Sequence, residues 1–207
     1  FVDLASEKLI IDHIKKGFPT HNILSEESGF ENNNSDITWV IDPLDGTSNF
    51  SAGLPWFGVL IAVMEKSLPI LGAAYLPVDN QLYFAQKGKG AFLNNQPIKV
   101  SQEAISECLV AFSTDYCKNE TCLNNGVEIY KYLVQHSRNV RTTNSLIDLV
   151  NVANGKMGAC VNLFNGIWDI AATSLIIEEA GGKICSIDGS PLRLNISSER
   201  LKQNYAI

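Results

Sequence analysis

The chain has 207 residues, 45% hydrophobic and 18% charged, with 16 Lys plus Arg against 22 Asp plus Glu for a net charge of −6. This composition excludes a disordered or fibrous chain, and the length suits one medium-sized domain. With no Lys/Arg-rich run to track a phosphate backbone, direct nucleic-acid binding is not expected.

In chain order, residues 4–16 place Leu9, Ile10 and Ile14 on a 3.6-residue period, which predicts a helix ended by Gly17 and Pro19. Residues 21–27 form an extended stretch with two acids, and 31–36, with three successive asparagines, predict a loop. Residues 38–41 predict a short strand running straight into Asp42, where Pro43 turns the chain at once. Residues 57–64, 70–75, 82–85 and 91–93 predict successive antiparallel strands separated by turn residues. The second half alternates: strand 109–112, helix 127–135, strand 139–141, helix 146–153, strand 159–163 and helix 169–179. Gly181-Gly182 stops the last helix, and 183–186 leads into an Asp188-Gly189 hairpin turn. An antiparallel half over about 1–105 and an alternating half over about 106–207 predict a layered α/β (α+β) fold in a single domain.

The five cysteines are odd in number and lack a C-x-x-C pair, so they read as small apolar side chains in a reducing, cytoplasmic setting. The longest apolar run, 57–64, is far short of a membrane span. The chain starts at Phe1 rather than Met, so it reads as part of something longer, with segments expected beyond both ends.

The chemistry-bearing stretch is Asp42-Pro43-Leu44-Asp45-Gly46-Thr47. Two carboxylates three residues apart can face one point there, with the Leu44 carbonyl between them and the Gly46 and Thr47 amides beyond. Alone, the stretch reads more readily as a surface turn, because Asp, Pro and Gly all favour turns. Glu26-Glu27 upstream and Asp169 at the head of an apolar helix shift the balance, although adjacent acids are often only solvated and such an Asp is most often an N-cap. Gathered together, Glu26, Asp42, Asp45 and Asp169 form a carboxylate cluster that only a cation can stabilise, and all-oxygen ligation suits magnesium or manganese rather than zinc.

These residues carry a family resemblance. Residues 42–50 resemble the first signature of the inositol monophosphatase family, and Trp168-Asp169-Ile170-Ala171-Ala172 through Gly182 resemble the second. Ser25-Glu26-Glu27-Ser28, the glycine-rich 88–94 stretch, and Asp3 followed by Ser6-Glu7-Lys8 resemble further family segments in the same order. The resemblance implies an αβαβα sandwich like that of fructose-bisphosphatases and a magnesium-dependent phosphatase, with SuhB-type proteins as its bacterial branch. It implies that Glu26, Asp42 and the Leu44 carbonyl hold one magnesium, that Asp42, Asp45 and Asp169 hold a second, and that a third leans on Glu26. Thr47 paired with Asp3, with Glu27 nearby, would orient and deprotonate a water acidified by the ions, while phosphate meets Asp45, Gly46 and Thr47. In inositol-specific members an acid that bonds sugar hydroxyls stands where Asn162 stands here, and a small pocket stretch is replaced by Thr143-Asn144-Ser145. The implied substrate is therefore inositol monophosphate or a similar small polyol phosphate, bound at Ser145 and Asn162. Bisphosphate nucleotide, fructose bisphosphate and histidinol phosphate are the same-fold alternatives, although Ser48-Asn49-Phe50 resembles the inositol branch. A homodimer is expected, and the SuhB-type branch adds a transcription- or ribosome-assembly protein partner as a non-enzymatic alternative.

Overall fold

Side-chain alternation along the strands decides which faces of this fold meet, and the computed structural model describes it for residues 1–114, 118–194, 196 and 202–206, with the backbone alone at 164 and 202–206. The helix α1 (Val2–Gly17) is followed by β1 (Asn22–Ser25), β2 (Gly29–Glu31), β3 (Ile37–Asp45) and the short α2 (Thr47–Ser51). Then come β4 (Gly58–Glu65), β5 (Leu68–Leu76), β6 (Gln81–Gln86), β7 (Ala91–Leu93) and β8 (Gln96–Pro97). The second half runs β9 (Leu109–Thr114), α3 (Glu120–His136), β10 (Asn139–Arg141), α4 (Leu146–Ala153), β11 (Ala159–Gly166), α5 (Ile167–Glu179), β12 (Cys185–Ser186) and β13 (Lys202–Ala206).

The first eight strands form one sheet in the order β2-β1-β3-β4-β5-β6-β7-β8, and the remaining five form a second in the order β10-β9-β11-β13-β12. Successive residues of a strand point to opposite faces, and β1 and β3 use both. Leu24 and Val40 enter the main core, whereas Ile23, Trp39 and Ile41 pack with Ile10, Ile11 and Ile14 of α1. On β11, Cys160 faces the main core while Val161 and Leu163 meet Ile129 and Leu133 of α3. The layers are α1, first sheet, α4 with α5, second sheet, α3, an αβαβα sandwich.

The central helix α5 is apolar all round because both sheets cover it: Ile170, Ala171, Leu175, Ile176 and Ile177 are all buried. Its small residues let it lie close against β5. A Cβ on Gly72 would stand 2.5 Å from the Ala172 carbonyl oxygen, so the contact admits no side chain. Gly72→Ala is expected to lower stability by about 1–3 kcal/mol through overpacking, read as a fall in Tm.

Several boundaries differ from the sequence reading. The helix α3 begins at Glu120 rather than 127, because the Asn119 side chain accepts the Cys122 N–H at 3.0 Å and caps a polar first turn that periodicity overlooks. The stretch after Asp42 is not an immediate turn, since β3 continues to Asp45. The strands β2, β8 and β13 and the helix α2 are additional; the first three are short or polar and carry no clear alternation. Cys108, Cys122 and Cys160 are free thiols, and Cys117 lies outside the described residues. Among the described residues no helix is long and apolar enough to cross a membrane.

Candidate metal centre and active site

A break in strand pairing creates the acidic centre. In a regular strand, residues three apart point to opposite faces. Between β3 and β4 the register runs Asp42↔Leu60 and then Asp45↔Gly58, so three steps on one strand match two on the other. The extra residue is a β-bulge that resets the alternation and returns Asp45 to the side of Asp42. Asp42 shares parity with Val40, on the face that meets α5, and α5 brings Asp169 from its first turn. One oxygen from each of Asp42, Asp45 and Asp169 then lies within 4.8 Å of the others.

Backbone N–H groups fix each carboxylate. Leu44 N donates to Asp42 Oδ1 at 3.0 Å, Leu146 N to Asp45 Oδ1 at 2.6 Å, and Gly166 N to Asp169 Oδ2 at 2.6 Å. Asp169 is thus not the N-cap of α5; it occupies the third helical position and reaches back to the amide of the cap residue Gly166. The Asp45–Leu146 bond places Asp45 at the head of α4, where the helix dipole favours an anion.

The charges are costly. Two ionised carboxylates about 4.8 Å apart repel by about 3–4 kcal/mol at an effective dielectric of 20. Burial, followed by the charges of Asp45, Asp169 and Glu26, pushes the Asp42 carboxyl well above its usual range. Burial and the Asp45 charge do the same to Asp169. These groups line a cavity of about 220 Å³ together with Glu26, and among the described residues no Lys, Arg or His lines it. The all-oxygen donor set suits a hard divalent cation, whose charge would offset this repulsion.

The other expected residues fall around this cavity. Leu44, Gly46, Thr47, Ser145 and Asn162 line it. Gly46 has φ 82°, and a Cβ there would stand 2.5 Å from the Trp56 carbonyl oxygen, so glycine is required where the strand passes into α2. The Thr47 hydroxyl lies 2.9 Å from both Asp3 Oδ1 and the Leu44 carbonyl oxygen. Glu27 sits on the exposed turn beside Glu26 and does not line the cavity.

Opposite the acids stands a wall the sequence reading caught only in part. Asn144 and Asn165 line the cavity beside Ser145 and Asn162, and Asn165 is 6% exposed with an amide nitrogen that has no hydrogen-bond partner. Buried Asp148 supports this wall from behind, accepting Thr143 N at 3.1 Å, Asn144 N at 3.2 Å and Ser113 Oγ at 2.8 Å. Asn49 joins α2 to the same loop through the Thr143 carbonyl at 2.9 Å. No local motif marks this wall, because the bonds that tie it to the rest of the fold, Ser113 to Asp148 and Asn49 to Thr143, join residues 35 and 94 positions apart.

The chain resembles one group of known proteins in sequence and in fold. The family described as "Inositol monophosphatase family" matches residues 1–205. The Nus factor SuhB of Pasteurella multocida is 38% identical over 190 residues, covering 91% of this chain and 71% of the relative. Inositol monophosphatase 2 of Solanum lycopersicum is 34% identical over 200 residues, covering 93% and 76%. The structure of inositol monophosphatase from Anabaena superposes with a TM-score of 0.89 at 35% identity, over 99% of this chain and 80% of that one.

Proposed function

Because the chain belongs to the inositol monophosphatase family, we propose that it is a magnesium-dependent phosphomonoesterase, releasing phosphate from inositol monophosphate or a similar small polyol phosphate. The observation that carries this reading is the convergence of Asp42, Asp45 and Asp169 in a cavity lined by a fourth acid and, among the described residues, no basic side chain. That donor set fits magnesium, with manganese as a substitute. Glu26, Asp42 and the Leu44 carbonyl would hold one ion and Asp42, Asp45 and Asp169 a second, with a weaker third site on Glu26. When bound, the ions supply positive charge that attracts the phosphate and acidifies water.

The chain's own residues orient the rest. The single Thr47 proton has two acceptors, Asp3 Oδ1 and the Leu44 oxygen. When it is donated to Asp3, the Thr47 oxygen accepts a hydrogen bond from an attacking water and helps take its proton. Gly46 and Thr47, at the head of α2, offer amides to the phosphate. Ser145 and Asn162 present neutral polar groups to the leaving alcohol, which suits a polyhydroxyl compound.

A phosphatase panel with and without magnesium tests this reading. Inositol 1-phosphate or another small polyol phosphate is expected to be hydrolysed with magnesium and to stay intact in EDTA. Release that ignores EDTA would contradict the metal assignment, and a nucleotide 3′-phosphate turned over far faster would contradict the substrate class.

A second reading is favoured by the names of the relatives, since the Pasteurella protein is called a Nus factor. In it, the chain acts as a protein partner of the transcription machinery, alone or alongside hydrolysis. A cellular phenotype that survives loss of hydrolysis would support it. A cytoplasmic setting is supported by the free thiols of Cys108, Cys122 and Cys160, and a homodimer by the family resemblance; light scattering tests the latter.

A further inference from the structure

Three consecutive side chains on one stripe of α1 each grip a different segment of the acidic centre. Asp3, Ser6 and Glu7 are spaced i, i+3 and i+4, so they lie on one face of the helix. Asp3 accepts the Thr47 hydroxyl at 2.9 Å, at the start of α2. Ser6 Oγ donates to the Pro43 carbonyl at 2.8 Å, inside the bulge of β3. Glu7 Oε1 accepts both Ser28 N at 3.0 Å and Ser28 Oγ at 2.9 Å, on the turn that carries Glu26 and Glu27.

Glu7 is the unusual member of this stripe. It is a carboxylate only 6% exposed on a helix whose other buried residue is Ile14. Burying a charged group is costly unless hydrogen bonds compensate, and both of its bonds go to one residue of one turn. That turn needs an external hold. Glu26 is exposed at its start, and its backbone N–H bonds the Ile41 carbonyl at 3.2 Å, so β3 fixes one end and Glu7 the other.

We propose that Glu7 is a positioning residue that sets the Glu26 turn against the Asp42 cluster, so that the Glu26 carboxylate faces the cavity in a fixed geometry. The proposal rests on the reading of Glu26 as a magnesium-holding group. It concerns a side chain that does not line the cavity and touches neither substrate nor ion.

The test is calorimetric titration of the chain with magnesium chloride, alongside Tm in EDTA. Glu7→Ala is expected to weaken magnesium binding about tenfold, the size seen when a group that orients a ligand is removed. Glu7→Gln is expected to stay within about threefold of the parent. Both bonds land on one oxygen, and glutamine keeps that oxygen while its NH2 takes the place of the other. A merely structural Glu7 would lower the Tm of the alanine variant and leave its magnesium affinity unchanged, and that result overturns the proposal. If Glu7→Ala does not fold, Ser28→Ala removes one of the two bonds from the exposed side. An affinity about threefold weaker supports the proposal there, and an unchanged one overturns it. No magnesium binding by the parent chain would overturn the metal reading itself and this inference with it; normal parent binding with unaffected variants overturns this inference alone.

Discussion

Asp169→Asn is expected to reduce magnesium-dependent phosphate release by about a thousandfold or more while making the metal-free chain more stable, not less. A loss of that size corresponds to about 4 kcal/mol of transition-state stabilisation, within the several kcal/mol that metal ions contribute. The amide oxygen of asparagine can still accept the Gly166 N–H, so the first turn of α5 keeps its bond. What disappears is a charge held close to Asp42 and Asp45. Burial and the Asp45 charge raise the Asp169 carboxyl, so removing its charge relieves the folded state of the metal-free protein. Phosphate release and Tm in EDTA, measured on one preparation, check both halves. A variant that hydrolyses normally removes Asp169 from the metal centre, and one that melts much lower makes the residue a structural cap.

Thermal stability of the metal-free chain is expected to fall as pH rises from about 5 to 8, and the stabilisation by magnesium to grow over the same range. Asp42, Asp169 and Asp148 all have folded-state values raised above their ordinary ones, chiefly by burial. The folded state therefore binds more protons than the unfolded state, and stability falls with rising pH. Their contribution is fully present below the unfolded value of about 4 and is lost as pH climbs through the raised folded values. Asp12, Glu31 and Asp188 are shifted downward by hydrogen bonds, and their opposite effect appears only on acidification below about pH 5. A tenfold difference in proton affinity is worth about 1.4 kcal/mol, which moves Tm by about 3–5 °C in a chain of this length. Magnesium requires deprotonated ligands, so its binding is favoured at the high end. Melting curves at several pH values, in EDTA and in magnesium, give the comparison. A Tm in EDTA that rises steadily to pH 8 contradicts the electrostatic account of the cluster. In Asp169→Asn the slope in EDTA should flatten.

Local chemistry was readable wherever a residue's role depends on its near neighbours in the chain. The helix over 146–153 and the strand over 91–93 match α4 and β7, since apolar period and turn residues suffice to mark them. The glycine after Asp45 was readable as a special backbone position, and its φ of 82° agrees. By contrast, α3 starts earlier than its apolar pattern because a cap fixed it, and β13 is a polar segment held by pairing with β11 and β12, both remote from it in the chain.

The acid types, their order, the mixed α/β pattern and the family signatures that join Asp42 to Asp169 across 127 positions are all written in the chain. Tertiary structure decided how those acids meet. A bulge, invisible as a motif, turns Asp45 to the side of Asp42, and the two sheets that enclose α5 set Asp169 beside them. It also decided who supports them: Glu7 through Ser28, Leu146 N on Asp45, and Asp148 behind Asn144. Hydrogen-bond partners 21 and 101 residues apart leave no spacing rule in the chain, because only packing of the layers brings them within 3 Å.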